Sequence, residues 1–358
     1  MDVKLGFILV SNSIQPFSST RISVFNILPF LRSANIDPYV VYEPEIATET
    51  PDVSGLLPQI LSERFDIIYF QKVHGPSAVK LAMQLSDHGI KTVFGVCDVV
   101  VPEMARATDA TIVVTDYLKS LYPDELHARI HVVHDGIEHP EVEKKEVSRR
   151  WGSRLFPLRA VLVTSSHLRA LPVIGNPPPW LHVDVVGLYP QGVFQRWREA
   201  RWKLLAMQDR NEILEFKKFM LNPRIRCHAW ETAGVYDKLI NADIGIIPIE
   251  TKPEHEPEPG KIPPSWKIKS ENRLTMKMCT GLPVVTTPIP SYEPVIDHGI
   301  NGFFAHSNKE WFEYLNFFRD PVNRKLFGAR ARDSVLRRYS KQEQARIIID
   351  ILTEVCRG

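Results

Sequence analysis

Short apolar, β-branched runs alternate with longer stretches of helical period along most of this chain. In the first part the runs are LGFILV (5–10), DPYVVY (37–42), DIIYF (66–70), KTVFGV (91–96), TIVVT (111–115) and HVVH (131–134). Between them lie segments such as 77–88, where Val79, Leu81, Ala82 and Leu85 share one helical face. Near-continuous apolar strands separated by helices predict a parallel sheet covered on both faces. In such a doubly wound sheet, ligands sit beyond the carboxyl ends of the strands.

A second series comes after it: AVLVTS (160–165), LHVDVVG (181–187), RIRCHAW (224–230), DIGIIPI (243–249), PVVTTP (283–288) and GFFAH (302–306). Between the two series, HPEVEKKEVSRRWGSRLFP (139–157) is charged and lacks an apolar period, so it reads as a linker or an exposed helix. The expected organisation is α/β, with two Rossmann-like domains facing a cleft. Their spans are 1–140 and 159–338, joined by a linker at 141–158, with a C-terminal helix over 339–358 packing back on the first domain. A single long helix is expected from Phe194 to Met220. A proline-rich acidic loop, KPEHEPEPGKIPP (252–264), comes later.

Composition narrows the class. At 358 residues the chain is long for one core, and 44% hydrophobic with 24% charged residues is ordinary globular content. A net charge of +2 is too small to point to nucleic acid as the main partner. Cys97, Cys227, Cys279 and Cys356 form no CxxC pair, which gives no metal site and fits a reducing cytosol. No run reaches the length of a membrane-spanning helix, and LGFILV is followed at once by polar residues. A cytoplasmic protein is therefore expected, with peripheral contact at the inner membrane face left open.

The densest chemistry lies in WKIKSENRLTMKMCTGLPVVTTPIPSYEPVI (266–296). Lys269 and Ser270 precede a helix that begins near Glu271 and is ended by Gly281. Unsatisfied amides at a helix start, a lysine, a hydroxyl and Arg273 one turn in make an anion site suited to phosphate. The same residues read equally as a capped helix with solvated charges.

The pattern K-S-x-N-R, then G-x-P-V-V and P-S-Y-E, resembles retaining glycosyltransferases of the family-4 type (glycosyltransferase group 1), which have the GT-B fold. VHDGIE (133–138), VLVTSSH (161–167), NADIGIIPI (241–249) and HGINGFFA (298–305) resemble further segments of that family in the expected order. The resemblance is close over most of the second half and looser over the first. It implies a nucleotide-sugar donor on the C-terminal domain and an acceptor hydroxyl presented by the N-terminal domain. Lys269 and Arg273 would then neutralise the diphosphate, and Ser270 and Asn272 would shape the turn. Pro290, Ser291 and Tyr292 would line the next loop, Trp230 would flank the base, and His167 would approach the donor.

Two departures stand out. The family's pair of glutamates falls here on Ile268 and Met276, and methionine cannot accept ribose hydroxyls as a carboxylate does. Where relatives carry a histidine after the fourth strand, this chain has Cys97 and Asp98, and Asp98 reads either as orienting a sugar or acceptor hydroxyl or as a helix cap or turn residue. His74, Ser19 and Thr20 are further candidates on the acceptor side; the hydroxyls at 18–20 also read as a helix-capping cluster.

No DxD triplet or histidine–carboxylate cluster stands in the sequence, so metal-independent transfer without a cofactor is expected, with a UDP-sugar favoured as donor. The acceptor would be a glycan or a lipid-linked sugar. Two alternatives are a catalytically silent nucleotide-sugar-binding partner and a sugar-nucleotide epimerase on the same fold. In FQRWREARWKLL (194–205), Phe194, Trp197 and Trp202 among arginines suggest an interfacial helix. Trp197 and Trp202 lie about 140° apart on a helical wheel, however, which favours packing on its own domain.

Overall fold

The computed structural model describes residues 3–164, 175–187, 193–232, 234–249, 251 and 263–357. The chain divides into two compact units. Unit 1 comprises Met1–Glu138, Pro253–Asn272 and Arg338–Gly358, and unit 2 comprises His139–Lys252 and Arg273–Arg337. The span expected for the second domain, 159–338, is thus interrupted, because the segment before the helix Asn272–Cys279 belongs with unit 1.

Unit 1 is built on a parallel sheet of β1 (Val3–Leu9), β2 (Ile36–Tyr42), β3 (Ile67–Gln71), β4 (Lys91–Val96), β5 (Ala110–Val113) and β6 (Ile130–Val132), in the order β2-β1-β3-β4-β5-β6. Unit 2 repeats the plan with β7 (Leu158–Val163), β8 (Leu181–Gly187), β9 (Ile225–Ala229), β10 (Ile244–Ile247), β11 (Val284–Thr286) and β12 (Phe303–Phe304), in the order β12-β11-β10-β7-β8-β9. Each predicted apolar run forms one of these strands.

Strand alternation divides each core in two. In β3, Ile67 and Tyr69 join Leu5 and Phe7 on one face, while Ile68 and Phe70 pack with Leu81 and Phe94 on the other. The first of these faces is completed by Ala345, Ile348, Ile351 and Leu352 of the last helix, Lys341–Arg357. In unit 2, Ala160 and Leu162 of β7 face Phe216 and Trp311, while Val161 and Val163 face Val235 and Leu239.

Glycines and buried cations fix the local framework of unit 2. Gly281, at φ +80°, ends the helix Asn272–Cys279 in the left-handed conformation that favours glycine. A Cβ on Gly328 would run into the Gly281 carbonyl, so the helix Pro321–Leu336 can approach this turn only with glycine there. The charged stretch after His139 is neither helix nor loose tether. Buried Arg324 donates to the carbonyls of Ser148 and Arg150, Arg332 to those of Pro140 and Val142, and Lys144 to those of Ile240 and Ala242. These bonds fix the stretch to unit 2.

The single helix expected from Phe194 to Met220 is two: Val193–Ala206 and Arg210–Leu221. The break is set by Asp209, whose carboxylate accepts the Glu212 amide as an N-cap. Ala200, Leu204 and Met207 pack inward, leaving Phe194, Trp197, Trp202 and Leu205 between 50% and 80% exposed. The expectation that this segment packs on its own domain holds for one face only.

Candidate active site

In unit 1 the strand order reverses at β1, which lies between β2 and β3. The carboxyl ends of β1 and β3 therefore flank the position where open parallel sheets take ligands. Beside it, at the carboxyl ends of β3, β4, β5 and β6, is a cavity of about 40 Å³, lined in part by Ser19, Gln71, Lys72, Cys97, His134 and Asp135. Gly95 of β4 also borders it, and a Cβ there would collide with the Tyr69 hydroxyl.

Buried Gln71 accepts from the Val10 amide at 3.3 Å and from the Thr20 hydroxyl at 3.0 Å. Thr20 also shares a 2.7 Å hydrogen bond with Ser11. Thr20 is fully buried and its hydroxyl is committed, so it is not a ligand contact as the sequence suggested. Ser19, half-buried, does line the cavity. The hydroxyls at 18–20 make no side-chain cap on the helical turn they open.

Lys72 follows β3 in a left-handed backbone conformation, φ 57°, with its amide donating to the Gly95 carbonyl at 2.8 Å. Its buried ammonium lies 2.8 Å from Glu49 Oε1 and 2.6 Å from Asp98 Oδ1. Burial works against this ammonium, but the ion-paired Asp98 and Glu49 outweigh it and raise its pKa. His74 and Lys72 beside Glu49 hold its carboxyl at about 2. Burial and the charge of Asp98 push the Cys97 thiol well up, so it is a neutral wall of the cavity. His74 Nε2 stands 3.6 Å from Glu49 Oε2, beyond hydrogen-bond reach. Asp98 and His74 are thus brought to one cluster. Lys72 and Glu49, which organise it, were not among the candidates.

The segment VHDGIE supplies a second polar group. His134 Nδ1 is 3.1 Å from Glu271 Oε1 and 3.1 Å from the Val114 carbonyl, and the His134 amide donates to Gln344. Burial lowers the His134 pKa, but Glu271 outweighs that and raises it. Burial and the Glu271 charge push Asp135 up to about 7, with the bonded Ser270 hydroxyl acting in the opposite sense. Glu138 is held by Arg21 Nε at 2.7 Å and by Asn26 at 3.0 Å. Glu271, read only as a helix start, is therefore a buried partner of His134, and Ser270 is engaged by Asp135.

Lys269, Ser270, Asn272 and Arg273 are all half-buried, retaining access to solvent at the start of the helix. Beyond Arg273 every residue to Cys279 is buried. Ile268 sits in the core of unit 1 and Met276 in that of unit 2. The positions aligned with the family's glutamates thus carry packed apolar side chains. Lys277 is wholly buried, its ammonium donating to the Arg273 carbonyl at 3.0 Å.

Trp230 follows β9 and is 36% exposed, and Pro290 is half-buried. Ser291 is buried, and its hydroxyl has no hydrogen-bond partner among the described residues. Tyr292 is fully buried, which corrects the expectation that its side chain lines the donor loop: its ring is core. His167 lies outside the described residues. In HGINGFFA, Asn301 is buried and ties the turn together by accepting from the Asp297 amide and donating to the Val295 carbonyl.

No protein-family model matches the sequence, and no curated protein is found similar to it. Solved structures do match over nearly the whole chain. HepE from Anabaena, in complex with UDP and glucose, aligns with a TM-score of 0.66 at 14% identity, covering 98% of this chain and 100% of that one. A glycosyltransferase from Rickettsia africae gives 0.68 at 10% identity, covering 99% and 98%. Sucrose-phosphate synthase from Thermosynechococcus elongatus gives 0.63 at 10%, covering 99% of each chain. At these identities the likeness establishes the fold: two Rossmann-like units of the GT-B architecture.

Proposed function

We propose that this chain is a glycosyltransferase that moves a sugar from a nucleotide-sugar donor to an acceptor hydroxyl. The observation that carries this reading is the accessible set Lys269, Ser270, Asn272 and Arg273 at the head of the helix Asn272–Cys279, in a chain of GT-B fold. Lys269 and Arg273 would stabilise the charge that develops on the departing diphosphate, with no metal invoked. Trp230 is assigned to the base, Pro290 and Ser291 to the donor loop, and Asp98, His74 and Ser19 to the acceptor side. The HepE complexes with UDP and with UDP-glucose favour a UDP-sugar. Retention of configuration rests on the family resemblance.

The test is calorimetry and turnover with UDP-, GDP- and ADP-sugars. Arg273→Ala should lose about 1.5–3 kcal/mol of nucleotide affinity, roughly 10–150-fold, while the fold persists. A folded variant with unchanged affinity would remove Arg273 from the site. Nucleotide binding without release of nucleoside diphosphate, across acceptors, would leave a silent binding partner instead.

A lipid-linked acceptor and a peripheral membrane position belong to the same reading. No helix among the described residues is long and apolar enough to cross a membrane. The helix Val193–Ala206 turns Phe194, Trp197, Trp202 and Leu205 outward together with exposed Arg198 and Arg201. Apolar rings among cations match an anionic bilayer surface. Wild-type chain should sediment with phosphatidylglycerol vesicles at low salt, and a Trp197→Ala/Trp202→Ala variant should sediment several-fold less. Equal sedimentation of the two would end the idea.

A further inference from the structure

We infer that the Lys72–Glu49–Asp98 cluster of unit 1 is a subsite for a neutral, polyhydroxylated acceptor, the two carboxylates taking neighbouring hydroxyls of a sugar or polyol. This rests on the glycosyltransferase reading and gives its acceptor a chemical class.

The geometry is a cation with two carboxylates braced against it. Lys72 reaches Glu49 and Asp98 from a buried stem, while the carboxylates are 43% and 51% exposed. One oxygen of each faces Lys72; Glu49 Oε2 lies 3.6 Å from His74 Nε2, outside hydrogen-bond reach, and both carboxylates keep acceptor capacity on their exposed sides. Carboxylates are acceptor-only, so a group that satisfies two of them side by side carries two donors, and on a glycosyl acceptor these are neighbouring hydroxyls. Lys72 and Cys97 also line the small cavity, whose wall includes Gln71 and Asp135, so the cluster stands at the edge of that cavity.

Charge decides against an anionic acceptor. Among the described lysines and arginines, Glu49 and Asp98 face Lys72 alone, leaving an excess of negative charge at the cluster. The neighbouring cations are occupied: Arg21 is paired with Glu138, and Lys341 donates to the Glu138 carbonyl. Glu271 and Asp135 add acidic groups on the side of β5 and β6. His74 places a basic ring at the edge, near Glu49. A phosphate or carboxylate beside the reacting hydroxyl would meet like charge that these occupied cations do not offset.

The role of Lys72 is positioning. Its left-handed backbone, fixed by the bond to the Gly95 carbonyl, aims the ammonium at both carboxylates. Arginine can make the same two contacts, whereas methionine leaves two carboxylates facing each other.

Saturation-transfer NMR on the whole chain, without donor, tests this with methyl glycosides of glucose, galactose, mannose and N-acetylglucosamine. Glucose 6-phosphate and glucuronate serve as anionic counterparts. At least one neutral glycoside should bind saturably, and the anionic sugars about tenfold more weakly or not at all. The partly exposed pair Glu49→Gln/Asp98→Asn should weaken the glycoside about tenfold. Lys72→Met should do the same, with Lys72→Arg restoring most of the loss, and UDP affinity by calorimetry should stay within about twofold throughout. Stronger binding of an anionic sugar, wild-type affinity in Glu49→Gln/Asp98→Asn, or saturation by no neutral glycoside would each overturn the subsite. UDP-sugar turnover without glycoside binding would sink the subsite alone, whereas glycoside binding without nucleotide binding would sink the transferase reading and leave the subsite standing.

Discussion

Met276→Glu is expected to cost roughly 3–5 kcal/mol of stability, from losing a buried thioether and placing a carboxyl among apolar side chains. The native residue packs with Val161, Val163, Val186, Val235, Tyr236, Leu239 and Leu282 and is 8% exposed. At about 2–4 °C per kcal/mol for units of this size, the unfolding midpoint should fall by on the order of 10 °C. The loss should shrink at pH 5, because a carboxyl in such surroundings has a raised pKa and is more readily accommodated protonated. An unchanged midpoint with tighter UDP binding would mean that position 276 reaches a solvated ribose site, as the family's glutamate does.

Lys277→Met, one residue on, should act in the opposite direction. Burial, and then the charge of Arg273, press the Lys277 pKa down to about 7. Unfolded, the same lysine titrates at about 10.4. Between those values the unfolded chain holds a proton that the folded chain lacks, so wild-type stability rises with pH across this window. Below pH 7 both states are charged and the full penalty remains. The methionine variant should be more stable by roughly 2–4 kcal/mol at pH 6, an advantage that diminishes towards pH 10. Urea unfolding at pH 6 and pH 9 measures it, and an identical difference at the two values would show that Lys277 is not the titrating group.

These neighbours illustrate how far residues can be read in order. The strands were legible because runs such as DIIYF and DIGIIPI are buried on both faces, which only a sheet covered twice requires. The helix ended by Gly281 was legible from the glycine itself. The break at Asp209 carried an N-cap signal that the surrounding helical residues masked. Lys72 and Glu49 could not be found in this way. Glu49 sits in the loop after β2 and Lys72 beyond β3, and an ion pair between two loops leaves no periodicity in either. Thr20 misled because three hydroxyls in a row look solvated, while its burial depends on Gln71, far along the chain. Glu271 was legible as a helix start, but its partner His134 lies on the other side of all of unit 2's first segment.

The last helix, Lys341–Arg357, closes one face of the sheet that begins at Val3. During synthesis, the face bearing Leu5, Phe7, Ile67 and Tyr69 has Val24, Ile27 and Leu31 to cover part of it, and the part closed by Lys341–Arg357 stays open while the ribosome makes everything from His139 to Arg337. At roughly 5–20 residues per second, that is an interval on the order of ten to forty seconds. Throughout it the nascent chain offers an apolar sheet surface to chaperones and to other nascent chains. A messenger broken before the codons for Ala345–Leu352 would yield a product in which this face of the unit 1 sheet lacks that helix and is left open to proteolysis.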